Sequence, residues 1–383
     1  MKKTLAALAV LGAFAGSAMA ADVTLYGLVD YGFSYEHLDG DSSTYDAQDT
    51  FQMKSGQNSG SRFGLKGTED LGNGMKVSFV LENGFSADTG ALSTSNTLFD
   101  RQATLALSGA FGEVAFGRTG QLASSLGSYG LLGGISPFST GWGDFSGVKY
   151  VQAKGHTSYN NMVTYKTPSF AGVTAFAQYS FGDSNTENTD KGYTEGKATA
   201  DRYYGIGVTY KNQDLYLVGT IDSVNYGSVQ TPASKTSLDD SLTVTLGGNY
   251  NFGVLTAYGS FQYFDNALSV GQKYVTDKGG VDTADATHFA NGAEGWSVGL
   301  GVGVPLFGGT AKAAAGYVSA EDTEVSSTKL DRWNVTVGYD YSLSKRTSVY
   351  TAATYLEDTY KKANEDDHKP NACEVMVGLI HKF

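Results

Sequence analysis

Asp22-Val23-Thr24-Leu25-Tyr26-Gly27-Leu28-Val29-Asp30-Tyr31-Gly32-Phe33-Ser34-Tyr35 is the stretch that decides the fold. Val23, Leu25, Val29, Tyr31, Phe33 and Tyr35 alternate with Thr24, Tyr26, Asp30 and Ser34. Successive side chains of a strand point to opposite faces, so alternation of this kind marks a strand with one apolar and one polar face. The pattern returns with Phe63 and Leu65 against Arg62 and Lys66. It returns again with Met75, Val77, Phe79 and Leu81 against Lys76, Ser78 and Glu82. Late in the chain it reappears at Trp296, Val298, Leu300, Val302 and Val304, and at Trp333, Val335, Val337, Tyr339 and Tyr341. The last instance is Val375, Val377, Leu379, His381 and Phe383. Strands of soluble sandwiches run nearer five or six residues. Repeated alternation over about ten residues fits a tilted strand crossing of a bilayer.

Connections between these stretches alternate between short and long. The short ones lie at 71–74, 109–112, 167–172, 211–214, 250–253, 305–309 and 342–347. The long polar ones lie at 36–58, 86–98, 119–157, 182–201, 222–238, 265–293, 320–330 and 358–371. Seven turns and eight loops join sixteen strands, and tight turns on one side with long loops on the other are the pattern of an outer-membrane barrel. All five prolines (Pro137, Pro168, Pro232, Pro305 and Pro370) fall in these connections. A closed ladder demands this, because proline has no N–H to donate. Closure is imposed by the solvent, since an open sheet edge in hydrocarbon would leave peptide groups unpaired.

The start of the chain has a different grammar. Lys2 and Lys3 precede an apolar run from Leu5 to Gly16, and Ala18-Met19-Ala20 follows with small residues. That layout predicts a secretory signal peptide over 1–20, with the barrel over 21–383; the run is too short for a membrane helix. Its removal takes two lysines and no acid, moving the formal charge from −12 to −14. No later apolar run approaches the roughly 18 residues of a spanning helix. Charged residues make up only 17 %, beside 50 Gly, 25 Tyr, 20 Phe and 3 Trp, and tyrosine in this quantity suits interfacial girdles. Cys373 is the only cysteine, so no intrachain disulfide forms and the thiol reads as packing. Gly299-Leu300-Gly301-Val302-Gly303 lacks the spacing of a phosphate loop and follows no helix pattern; its glycines read as places where backbone or a curving wall comes close.

Several blocks resemble the general porins of β-proteobacteria. They are Asp22–Gly27, Ser61-Arg62-Phe63-Gly64-Leu65-Lys66-Gly67-Thr68-Glu69-Asp70-Leu71-Gly72-Asn73-Gly74, Leu81-Glu82-Asn83-Gly84-Phe85 and Asp100-Arg101-Gln102-Ala103. Phe116-Gly117-Arg118, Tyr165–Gly172, Tyr341–Thr347 and the terminal Val377–Phe383 continue the series in the family's order. The resemblance spans the whole segment after residue 20. It implies a homotrimer of sixteen-stranded antiparallel barrels, each pore narrowed by a third loop folded inward, and a terminal Phe383 that belongs to the signal read by the barrel-assembly machinery. Two positions depart from the pattern. Ile380 stands where the family usually has arginine, and Ser158 stands where relatives often carry a pore-lining arginine, which weakens the basic constriction the resemblance implies.

A porin acts through fixed charges at its narrowest ring. Alternation turns Arg62, Lys66 and Thr68 into the lumen if Phe63 and Leu65 face lipid, and the reverse would cost about 2–4 kcal/mol for an arginine near the midplane. The resemblance places Arg62 and Arg101 on the basic wall. Arg101 shares parity with Ala103, Leu105 and Leu107, so an ion pair with Asp100 or a loop acid is its other reading. Arg118, near the start of the third loop, is a further pore-lining candidate. Asp144 is the only carboxylate between Val114 and Ser180. It reads either as the acid that faces the arginines across the pore or as a loop acid capping a turn. Acids at Glu36, Asp39, Asp41, Asp46 and Asp49, at Asp282 and Asp285, and at Glu357, Asp358, Glu365, Asp366 and Asp367 read as a solvated outer surface. The sharper reading of those acids is divalent cations bridging them to lipopolysaccharide. The five histidines show no metal-ligand spacing and no Ser/His/Asp set stands out. The expected function is general diffusion of ions and small hydrophilic solutes across the outer membrane, with no catalysis and no nucleic-acid partner. A substrate-specific channel and a porin doubling as an adhesin are the alternatives.

Overall fold

The structure is a computed structural model that describes residues 22–41, 47–153, 157–182, 195–197, 199–227, 239–271, 288–362 and 366–383. The expected signal segment, 1–20, and the acids Asp46, Asp282, Asp285 and Glu365 lie outside the described residues. Seventeen strand segments follow one another: β1 (Asp22–Asp39), β2 (Gln48–Ser55), β3 (Arg62–Gly72), β4 (Met75–Gly84), β5 (Gln102–Gly109) and β6 (Gly112–Gly120). After the third loop come β7 (Ser158–Lys166), β8 (Val173–Ser180), β9 (Arg202–Lys211), β10 (Leu215–Asn225), β11 (Leu242–Asn251) and β12 (Thr256–Ser269). The last five are β13 (His288–Leu306), β14 (Gly309–Asp322), β15 (Lys329–Ser342), β16 (Thr347–Lys361) and β17 (Asn371–Lys382). Among the described residues no helix is long and apolar enough to cross a membrane.

Seventeen segments make sixteen barrel strands. β1 pairs along one side with β17, from Leu28 opposite Lys382 to Asp39 opposite Asn371, which closes the sheet. On its other side Asp22–Leu28 pair with β3 and Tyr31–Leu38 pair with β2. β2 and β3 are therefore two halves of one strand, interrupted at residues 56–61. The rest of the ladder is antiparallel between sequence neighbours, so no edge is left open and the barrel satisfies its backbone internally. At the β3–β4 turn Asn73 and Gly74 both adopt positive φ, 52° and 76°, the backbone twist that a two-residue hairpin loop requires.

Several expected loops are shorter than their composition suggests. The stretch 36–58 contains β2 and the end of β1, β10 reaches Asn225, β13 starts at His288, and β16 reaches Lys361. The turn expected at 250–253 lies at 252–255. The cause is parity: where a strand leaves the bilayer, or faces the water-filled side, its polar residues outnumber its apolar ones and read as loop.

The barrel is inside out relative to a soluble protein. Leu25, Leu300, Val337 and Val377 are exposed on the outer face. Thr245, Gln262, Ser297, Thr336 and Thr354 are buried on the inner one. The inner face is covered by the third loop, described over residues 121–153, whose Leu122, Leu132, Ile135, Phe138, Phe145, Tyr150 and Val151 are all nearly fully buried. Two short 3-10 turns shape it, Leu132–Gly134 and Val148–Tyr150. The wall beneath is cleared by glycine. A Cβ at Gly247 would lie 2.7 Å from Ile135 Cγ2, and one at Gly301 would lie 2.5 Å from Pro137 Cδ. Gly299 and Gly301 of the 299–303 run thus mark a close approach by the third loop, whereas a Cβ at Gly303 would meet only Thr310 and Tyr258 of the wall at 3.7 Å.

Candidate pore constriction

The polar parity of β3 and β4 builds a basic wall. Arg62 lies opposite Leu28 and Gly84, and Glu82 lies opposite Gly64 and Gln102. Arg101 Nε donates to Glu82 Oε1 at 2.7 Å, and Arg62 Nη1 stands 3.9 Å from the same oxygen. Tyr26 Oη donates to Glu82 Oε2 at 2.9 Å, and Lys66 Nζ sits 5.0 Å from the centre of the Tyr26 ring. Two cations, Arg62 and Arg101, therefore meet one carboxylate, with Lys66 beside them over the Tyr26 ring. Arg101 precedes the first residue of β5, so strand parity does not govern it, and its side chain turns back to Glu82 rather than outward with Ala103 and Leu105.

Arg118 does not touch Glu82 but lines a cleft together with Arg101. It pairs in register with Ala103, in the row that carries Phe116 opposite the exposed Leu105. Gly117 before it has a φ of 120°, and the ladder to β7 shifts register there. Its guanidinium donates to Asp100 O and to Asn160 Oδ1, both at 2.6 Å. Ser158 Oγ donates to Arg101 O at 3.3 Å. In place of a bulkier side chain it borders a cleft of about 190 Å³ with Asp100, Arg101, Arg118, Leu126, Gly127 and Thr157.

Asp144, at the tip of the third loop, meets a different cation. It forms an ion pair with Lys54 of β2, which also holds Glu36 of β1. Glu374 of β17, fully buried, accepts the backbone N–H of Asp144 at 3.0 Å and of Phe145 at 3.3 Å, and Ser34 Oγ at 3.1 Å. Carboxylate oxygens of Glu36, Asp144 and Glu374 lie within 4.8 Å of one another. Glu36 had the look of an outer-loop acid, but as an inward residue of β1 it belongs to this nest. Asp358, also read as part of the outer acidic surface, is a fully buried residue of β16 paired with Arg332. Within the loop, burial pushes the Lys149 ammonium down and the Tyr150 hydroxyl up from their ordinary values.

The interruption at 56–61 joins the two groups. Asp30 Oδ2 accepts the N–H of Asn58 at 2.9 Å and of Ser59 at 2.8 Å, which fixes the segment. Its Gln57 carbonyl accepts Gly143 N–H from the loop tip at 2.6 Å. Its Ser59 hydroxyl accepts Arg62 Nη2 at 2.7 Å. Sequence reasoning missed Lys54, Glu374 and the role of Glu82. Parity pointed to the two glutamates, whereas Lys54 was hidden inside an apparent loop.

A sequence model described as Gram-negative porin matches residues 6–361. The chain belongs to the Gram-negative porin family. This porin is 34 % identical over 403 residues to an outer membrane porin protein of Bordetella pertussis, covering all of both chains. It is 34 % identical over 365 residues to outer membrane porin protein 32 of Delftia acidovorans, covering 94 % of this chain and 90 % of that one. Among solved structures, an anion-selective porin from Comamonas acidovorans is similar at 27 % identity with a TM-score of 0.66, covering 95 % of this chain and 100 % of that one. The porin resides in the outer membrane, where its closed barrel forms a general diffusion channel for small hydrophilic solutes and ions.

Proposed function

We propose that this porin prefers anions weakly to moderately, and that the preference arises at the Arg62–Arg101 wall. The observation that carries the reading is the imbalance around Glu82, where Arg62 and Arg101 stand against one acid and Lys66 lies over the adjoining Tyr26 ring, while Asp144 is held by Lys54. In a narrow aqueous pore each uncompensated charge acts on a passing ion by on the order of 1 kcal/mol or more. Acids farther from that ring than the Debye length of about 8 Å at physiological salt are largely screened there, so the acidic total does not by itself set the preference. The similar Comamonas acidovorans protein, described as anion-selective, supports the same sign. The test is the zero-current potential across a bilayer under a salt gradient. The wild type should show an anion preference, and Arg62→Ala combined with Arg101→Ala should move the potential toward cations. A strongly cation-selective wild type whose potential does not move in the double variant refutes the reading.

The proposal extends to assembly. We infer that the working unit is a homotrimer, as the family resemblance implies; one protein alike in fold at 15 % identity, OmpT of Vibrio cholerae, is described in a trimer form. Phe383 serves as the signal for the barrel-assembly machinery. It also closes the barrel, since Gly27 and Phe383 exchange two backbone hydrogen bonds at 3.1 and 3.0 Å. Contact with lipopolysaccharide through divalent cations falls to the outer acids such as Asp39, Asp41 and Asp366, without Glu36 and Asp358. The transport is passive, and no catalytic step is assigned.

A further inference from the structure

The third loop is fastened at two places by different means. Its tip is held by the Lys54 nest. Its returning limb, residues 145–153, is held by buried polar groups of the wall that no charge-selection argument uses. Asn334 Nδ2 donates to Phe145 O at 3.2 Å and to Gly147 O at 3.1 Å, and Ala153 N–H donates to Gln262 Oε1 at 2.7 Å. Between them lies Arg332, which stands opposite Asp358 in the β15–β16 register. Both side chains are fully buried. Arg332 Nε and Nη2 grip the two Asp358 oxygens at 2.6 and 2.8 Å, and Nη1 donates to Tyr150 O at 3.2 Å.

A forked pair buried under a loop has two roles open to it: holding the wall or holding the loop. The wall does not need it, because β15 and β16 are already joined by a continuous ladder from Lys329 opposite Lys361 to Ser342 opposite Ser348. The spare donor, Nη1, leaves the pair and goes to the loop backbone. Gly271, just after β12, completes the seat. Its N–H donates to Gln152 O at 2.6 Å, and an ideal Cβ on it would lie 2.4 Å from Tyr150 O and 2.5 Å from Arg332 Nη1. Val270 beside it forms a bridge with Ala153. Asp358 orients the guanidinium, Arg332 fixes the Tyr150 carbonyl, and Gly271 clears the space in which they meet.

We infer that Arg332 and Asp358 are positioning residues that set the size limit of the pore by pinning the returning limb of the third loop. The inference rests on the channel reading, and it separates size selection from the charge selection at Arg62 and Arg101. A fixed limb gives a constriction of one width, while a limb without its anchor samples several.

The test replaces the pair by apolar residues, Arg332→Met with Asp358→Leu, so that neither charge is left buried without its partner. Purified barrels are then compared with wild type for open-channel current noise and for the permeation of a trisaccharide relative to a monosaccharide into liposomes. Both should rise severalfold, with the zero-current potential unchanged. Gly271→Ala attacks the same contact from the end of β12 and leaves the Arg332–Asp358 pair in place, and it should move both readouts in the same direction. A folded pair variant with wild-type noise and size dependence overturns the inference; where the pair variant does not fold, Gly271→Ala decides by the same two readouts. A wild type that passes no current would instead refute the channel reading.

Discussion

At Glu82 two arginines meet one carboxylate, while Lys54 bonds two carboxylates, Glu36 and Asp144, that cluster with a third, Glu374. The two groups are joined by the short segment 56–61, yet they differ in construction. The first is made by strand parity on β3 and β4 together with an arginine just ahead of β5, and it leaves positive charge on the wall. The second is made by a loop descending onto β1, β2 and β17, and its single lysine ties an exposed acid to buried ones. The lesson is that charge in this lumen is set by which groups are brought together. The acidic total and the lone acid of the third loop both mislead when read alone.

Removing Lys54 should break the comparison most severely. Lys54→Met leaves Glu36 and Asp144 without their bonded cation, close to the buried Glu374. Loss of one partner from a buried charge cluster typically costs about 3–5 kcal/mol. The variant should lose heat resistance on a gel, and in the barrels that fold the permeability ratio should turn toward cations. Retained anion preference and wild-type heat resistance would mean that Lys54 carries no weight in either property.

Asp144→Asn gives a smaller change of opposite sign. The tip keeps its backbone bonds to Glu374, and Lys54 is relieved of one acid, so the zero-current potential should move toward anions. The shift should stay within roughly fivefold in permeability ratio, since one partly solvated charge is worth on the order of 1 kcal/mol. A shift toward cations would show that Asp144 acts by placing Lys54 and not by its own charge.

Deleting Phe383 should leave the comparison untouched. The residue pairs with Gly27 on the closing seam and brings no charged side chain to either group. Yield of folded barrel in the outer membrane should fall, while the barrels that do assemble keep the wild-type zero-current potential. Undiminished yield removes the assembly role.

Much of the wall was legible residue by residue. The alternation of Phe63 and Leu65 with Arg62 and Lys66 oriented that strand, because an arginine facing lipid near the midplane is far costlier than one facing water. Glu82 was oriented in the same way by Phe79 and Leu81. Arg101 was not, since the chain leaves regular pairing just before β5 and parity stops applying. Lys54, Glu36 and Asp358 were masked for another reason. Near the ends of the strands polar residues populate both a lumen face and true loops, and composition alone does not separate the two.

The sequence by itself determined the closed barrel, its sixteen strands and which face meets lipid in the strands whose alternation is clear. Those follow from period-two patterning and from the demand that every peptide group in hydrocarbon be paired. Only the tertiary structure decided the partner of Asp144, the inward turn of Arg101 and the burial of Arg332 with Asp358. The first and the last depend on where the third loop, described over 121–153, lies inside the barrel. That path is fixed by long-range contacts with glycine-cleared wall positions such as Gly247 and Gly301, which no local pattern encodes.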